Sequence, residues 1–167
     1  RLAHILNRYQ SGGKLIVIPF QDIQVAIRDH CHDMNRVVLY RRMMHRISHV
    51  LAELNNCHAL VTGESVGQVA SQTLKNLAAV SCVTQMSVFR PLIGMNKQEI
   101  ITHAKQIGTY DISIEPQPDC CSVFMPDHPS TSCKIKYLEA DERLYPWEEL
   151  MSSALDSVET IDLDDLD

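Results

Sequence analysis

Two stretches of this 167-residue sequence hold residue types able to do chemistry at close quarters. The first is Pro118-Asp119-Cys120-Cys121-Ser122, adjacent thiols in a segment with four prolines between positions 116 and 129. Such a pair is open to four readings: two small hydrophobes, a vicinal disulfide, metal ligands, or a reactive thiol on a loop, where the thiolate is the nucleophile. The second is Thr62-Gly63-Glu64-Ser65-Val66-Gly67-Gln68. Its two glycines let a ligand approach the backbone, and Thr62, Ser65, Gln68 and Gln72 offer hydrogen bonds near a helix N-terminus. From spacing alone this is either a nucleotide-binding turn or an ordinary strand-to-helix turn. Ser11-Gly12-Gly13 is different: a phosphate loop follows a strand, whereas this one precedes it, so it reads as a helix-stopping turn. A zinc set of Cys120, Cys121, His128 and Cys133 lacks the C-x-x-C pair usual in structural sites. His30-Cys31-His32-Asp33 and the i,i+4 pair His45/His49 read as surface histidines at helix ends.

The elements that must position these residues follow from periodicity. Leu2, Ile5, Leu6 and Tyr9 have helical spacing, and the Gly12-Gly13 turn leads into an apolar strand over 14–18. Ile23, Ala26 and Ile27 resume helical spacing. The longest helix is expected over 35–54, with Val37, Tyr40, Met44, Ile47, Leu51 and Leu54 on the core face and Arg41, Arg42, His45, Arg46 and His49 on a solvated one. A second strand over 57–62 precedes a helical segment over 68–80. A third strand lies at 86–89, and Asn96-x-x-Glu99 is a capping box opening a helix that Gly108 ends. Strands alternating with helices predict an α/β fold with a doubly wound parallel sheet, whose ligands bind beyond the carboxyl ends of the strands.

Composition bounds the function. Six cysteines without regular spacing are too few for a disulfide scaffold, which favours a reducing, cytoplasmic setting. No apolar run approaches the roughly 18 residues of a membrane helix. The net charge of −6 is unevenly spread: residues 1–138 hold 14 Lys and Arg against 10 Asp and Glu, and residues 139–167 hold 1 against 11. The mildly basic body lacks the dense stripe that autonomous polyanion binding needs. Residues 1–150 read as the domain. Residues 151–167 read as an acidic tail or linker, with 158–167 taken as solvated in preference to a short strand with alternating apolar residues.

Arg41-Arg42-Met43-Met44, the long run from Thr62 to Leu74, Arg90 to Ile101 and Pro118-Asp119-Cys120-Cys121 together resemble the ATP-pyrophosphatase (PP-loop) domain of the ThiI family of tRNA 4-thiouridine sulfurtransferases. The resemblance runs nearly end to end. It implies a Rossmann-like adenine nucleotide α-hydrolase fold and a reaction in which ATP, with Mg2+, adenylates O4 of a tRNA uridine before persulfide sulfur displaces AMP. By motif, Arg41, Gly63 and Gln72 would bind the nucleotide, with Arg42 and Arg90 as weaker phosphate or RNA contacts. The P-[DE]-x-C position falls on Cys121, which would resolve the persulfide through a disulfide, with Cys120 as runner-up. The implied partners are tRNA, held mainly by other domains, and a cysteine desulfurase or rhodanese-type sulfur donor; thiamine thiazole synthesis is a further implied role.

The family's S-G-G-x-D-S loop and its strand have no counterpart after Arg1. The chain is therefore expected to be a fragment or processed form, inactive alone, whose exposed sheet edge could drive homodimerisation. Two other classes are weighed: a non-catalytic nucleotide-binding module and a Cys/His metal-binding structural domain.

Overall fold

The computed structural model describes residues 1–116, 124, 126 and 128–165. Its first elements follow the expected order: α1 (Leu2–Asn7), β1 (Lys14–Val17), α2 (Gln21–His30) and α3 (Arg36–Leu54). Gly12, at φ +82°, makes the turn into β1, a backbone angle that favours glycine; a Cβ there would meet Asp164 Oδ2 at 2.7 Å, the tip of an exposed side chain that can move aside. Next come β2 (Ala59–Val61), α4 (Leu74–Ser81), β3 (Ser87–Phe89), α5 (Lys97–Gln106) and α6 (Tyr110–Ser113), then α7 (Ile135–Glu142), α8 (Trp147–Asp156) and β4 (Glu159–Asp162).

Strands β2 and β3 pair in parallel, Leu60 opposite Val88, with α4 in the crossover between them. Strand β1 does not join them as the sequence pattern suggests. It pairs antiparallel with β4, Leu15 opposite Ile161, in a separate two-stranded ladder. The short-strand alternative for the acidic terminus thus replaces the solvated one over 159–162, because the alternating apolar residues find a partner edge far away in sequence.

Helix α3 is the central element. Val38, Leu39, Tyr40, Met43 and Ile47 pack with Ile23 and Ile27 of α2, Ala79 and Val80 of α4, Leu138 of α7, and Tyr145 and Ala154 around α8. The expected solvated face is also largely covered: Arg41, Arg42 and His45 are buried, whereas Leu54, assigned to the core face, is exposed. A helix enclosed on most sides cannot keep a solvated stripe, so its cations must be paired internally. Arg42 is held by Glu142 of α7 through Nε at 2.7 Å and Nη2 at 2.9 Å, and it also donates from Nη1 to the Ala79 carbonyl at 2.6 Å. Arg46 makes a second pair of contacts with Glu142 and stacks over Trp147 at 4.4 Å.

The capping box of α5 is as expected: Asn96 Oδ1 accepts from the Gln98 and Glu99 N–H groups, and Glu99 Oε2 accepts from the Asn96 N–H at 2.7 Å. Asn96→Ala should lower stability by about 1 kcal/mol, read as a shift of the urea midpoint without a change in its slope.

Candidate functional site

Beyond the carboxyl end of β2 the chain does not enter a helix directly. Gly67 takes φ +80°, a 3-10 turn forms at Ala70–Gln72, and α4 begins only at Leu74, capped by Thr73 Oγ1 accepting from the Asn76 N–H at 3.2 Å. The expected helix start at 68 is therefore corrected by six residues. Backbone bonds from Val66 N–H to the Ile93 carbonyl and from Gly67 N–H to the Gln72 carbonyl, together with side chains, satisfy this loop's backbone in place of a helical ladder. Gln72 Oε1 accepts from the Ser65 N–H at 3.0 Å, Arg41 Nη1 donates to the Ser71 carbonyl at 2.8 Å, and Asn76 Nδ2 donates to the carbonyls of Ala70 and Ser130.

The loop forms one wall of a cavity of about 510 Å³. Val37, Arg41, Met44, His45 and Ser48 of α3 form a second wall, Leu60 and Val61 of β2 its base, and Thr62, Gly63 and Glu64 its strand-end rim; Pro129 closes it. The volume falls within the roughly 300–1,000 Å³ of small-molecule sites, and most of the lining is apolar, with a few convergent polar groups. Arg41, Gly63 and Gln72 thus all line a single cavity. A Cβ built on Gly63 meets nothing within 4 Å, so a side chain at this position would take space that is open to a ligand.

Two buried polar residues at the cavity have no role in the sequence reading. Glu64 forms ion pairs with both Arg41 and Arg90 and accepts from Thr62 Oγ1 at 3.0 Å. Arg90 is anchored in turn by donating from Nη2 to Ser81 Oγ at 2.6 Å, and burial lowers its pKa. His45 lies one helical turn beyond Arg41. Burial, then the charges of Arg90 and Arg41, push its pKa down to about 4, so the ring is neutral at physiological pH. Its Nδ1 is buried with no hydrogen-bond partner among the described residues. The available signal was the i,i+4 spacing, which puts His45 on the same helix face as Arg41.

The chain matches the family model described as "Thiamine biosynthesis protein (ThiI)" over residues 1–145. The chain belongs to the ThiI family. Among curated relatives, it is 46% identical over 144 residues to a probable tRNA sulfurtransferase of Caldanaerobacter subterraneus subsp. tengcongensis, covering 86% of this chain and 38% of that protein. It is 43% identical over 160 residues to one of Moorella thermoacetica, covering 96% and 41%. It therefore spans about two fifths of the length of these ThiI-family relatives. A crystal structure of a 4-thiouridine synthetase–RNA complex with bound ATP superimposes with a TM-score of 0.90 at 36% identity, over 96% of this chain and 42% of that one. The α/β, PP-loop ATPase-type fold expected from the sequence is thereby borne out, with the ladder of β1 and β4 as the local departure.

Cys120 and Cys121 lie outside the described residues. Of the other thiols, Cys31 and Cys133 are buried. Burial, with Asp141 and Glu142 nearby, pushes the Cys31 thiol up to about 12, and burial also raises Cys133. Both are poor nucleophiles at neutral pH. Among the described residues no group of three or more His, Cys, Asp or Glu is placed to hold a metal ion. No described helix is long and apolar enough to cross a membrane.

Proposed function

We propose that this chain is the nucleotide-binding and persulfide-resolving part of a cytoplasmic tRNA sulfurtransferase. The observation that supports the reading is that Arg41, Gly63 and Gln72, the residues the ThiI resemblance implies for ATP, line one mostly apolar cavity at a strand end. A carbonyl oxygen leaves poorly. Attack of uridine O4 on the α-phosphate of ATP would expel pyrophosphate and convert that oxygen into a phosphate-ester leaving group. The terminal sulfur of a donor protein's persulfide would then form a bond to C4 as AMP departs. Cys121, with Cys120 as runner-up, would attack the donor's cysteinyl sulfur, forming a disulfide and releasing the 4-thio group as the S–S bond breaks.

Mg2+ accompanying ATP does not fit the described lining as a protein-held ion, because the carboxylate of Glu64 is engaged by two arginines. tRNA, with a cysteine desulfurase or rhodanese-type protein as sulfur donor, completes the reading, and supply of sulfur for thiamine thiazole synthesis is a further role.

The test uses the full-length protein containing this chain. Arg41→Ala should raise KM for ATP about tenfold or more, the equivalent of the roughly 1.5–3 kcal/mol of a charge-assisted hydrogen bond. Cys121→Ser should abolish formation of 4-thiouridine while leaving ATP-dependent AMP release on tRNA. Unchanged thiolation in Cys121→Ser, with loss in Cys120→Ser, would move the role to Cys120; unchanged thiolation in the double variant would refute the sulfur chemistry.

A further inference from the structure

We propose that Glu64 is a positioning residue of the nucleotide site, fixing the guanidinium of Arg41 at the cavity wall so that it meets a phosphate of the bound nucleotide in one orientation. The inference rests on the nucleotide reading of the cavity and goes beyond it by assigning a residue that none of the motif parallels assigns.

Glu64 is 6% exposed and its two oxygens are divided between two tasks. Oε2 accepts from Arg90 and from Thr62 Oγ1, which ties the carboxylate to β3's end and to the strand-end rim. Oε1 faces Arg41. Arg41 is held on its other side by the Ser71 carbonyl at 2.8 Å, so the guanidinium bridges the two ends of the loop between residues 64 and 71. A planar fork pinned at two nitrogens keeps little rotational freedom, and a preorganised donor loses little entropy when it binds an oxyanion.

The same two-to-one arrangement recurs at Glu142, but its purpose differs. There the second guanidinium stacks on Trp147, and neither Arg42, Arg46 nor Glu142 lines the cavity. At Glu64, both members of the Arg41 pair do.

A carboxylate next to a phosphate site has opposed effects: it repels the anion and it orients the cation. The two separate with two probes, ATP and inorganic triphosphate, titrated calorimetrically into full-length wild type, Glu64→Gln, Glu64→Asp, Glu64→Ala and Arg41→Ala, with thermal melts fixing the folded fraction. Glu64→Gln keeps the side chain's shape. It should weaken ATP about tenfold while inorganic triphosphate binds as tightly as to wild type or more so, because orientation is lost together with repulsion; Glu64→Asp should fall between. ATP affinity within twofold of wild type in folded Glu64→Gln and Glu64→Ala, while Arg41→Ala still weakens it, would overturn the positioning role and leave the nucleotide reading standing. Equal loss of both probes would also overturn it, marking collapse of the cavity. ATP affinity unchanged in Arg41→Ala would remove the nucleotide reading and this inference with it.

Discussion

Replacing Glu142 by alanine is expected to lower the unfolding free energy by about 3–5 kcal/mol, the cost of leaving a buried charge without its counterion. Glu142 is the shared acceptor of four contacts of 2.7–2.9 Å from Arg42 and Arg46, and Arg42 is 2% exposed. Burial alone would lower the pKa of Arg42, yet the hydrogen bonds and charge of Glu142 raise it on balance. Burial likewise works against the Glu142 anion, and the two arginines more than offset it, so its pKa is lowered. Its contribution is therefore present above the ordinary carboxylate range and fades as pH falls through the lowered folded value. Since small domains have only about 5–15 kcal/mol in total, Glu142→Ala should leave a substantially unfolded population at 37 °C. Urea melts decide it: a loss under about 1 kcal/mol would mean that water reaches Arg42 when the carboxylate is gone. Arg42→Met combined with Glu142→Leu should lose less than the sum of the single changes, because the fully buried Arg42 charge goes with its counterion, leaving only the less buried Arg46 and the Ala79 carbonyl without their partners.

That cluster marks where the sequence stops being readable. The turn at residues 62–68 could be placed at a strand end because the apolar run before it and the glycines within it are local signals, and Arg41, Gly63 and Gln72 do share one cavity. The charged face of α3 could not be read the same way. Periodicity separates apolar from polar positions along one helix, but whether the polar face meets water depends on which elements cover it. Here α4, α7 and the loop before α4 supply Ala79, Glu142 and Ser71 as partners for Arg42 and Arg41. The pairing of β1 with β4 is non-local for the same reason: nothing near Leu15 specifies Ile161. The late start of α4 has a local cause that was legible only in part, since Gly67 invites a left-handed turn but the hold of Arg41 on the Ser71 carbonyl is tertiary.

Acidification should destabilise the protein well before its carboxylates titrate, and His45 is the reason. Its folded-state pKa is lowered from 6.5 to about 4, by burial first and then by Arg90 and Arg41, whose own counterion in this cluster is Glu64. Between these values the unfolded chain binds a proton that the folded chain refuses, so stability rises with pH across the window and is lost as pH falls from about 6.5 toward 4. A shift of this size corresponds to about 3 kcal/mol when complete. His45→Leu removes both the proton site and the buried Nδ1 that has no partner among the described residues. It should flatten stability between pH 6.5 and 4.5 and raise it at pH 7 by about 1–3 kcal/mol, the desolvation cost of an unsatisfied polar atom. Denaturant melts of the two proteins at half-unit pH steps give the difference directly, and the difference cancels the titrations of Glu142 and the other acids that both share. Parallel curves for wild type and His45→Leu would show that the ring takes up its proton as readily in the fold as in the unfolded chain. A loss of stability at pH 7 would show instead that Nδ1 makes a bond that the packing of α3 depends on.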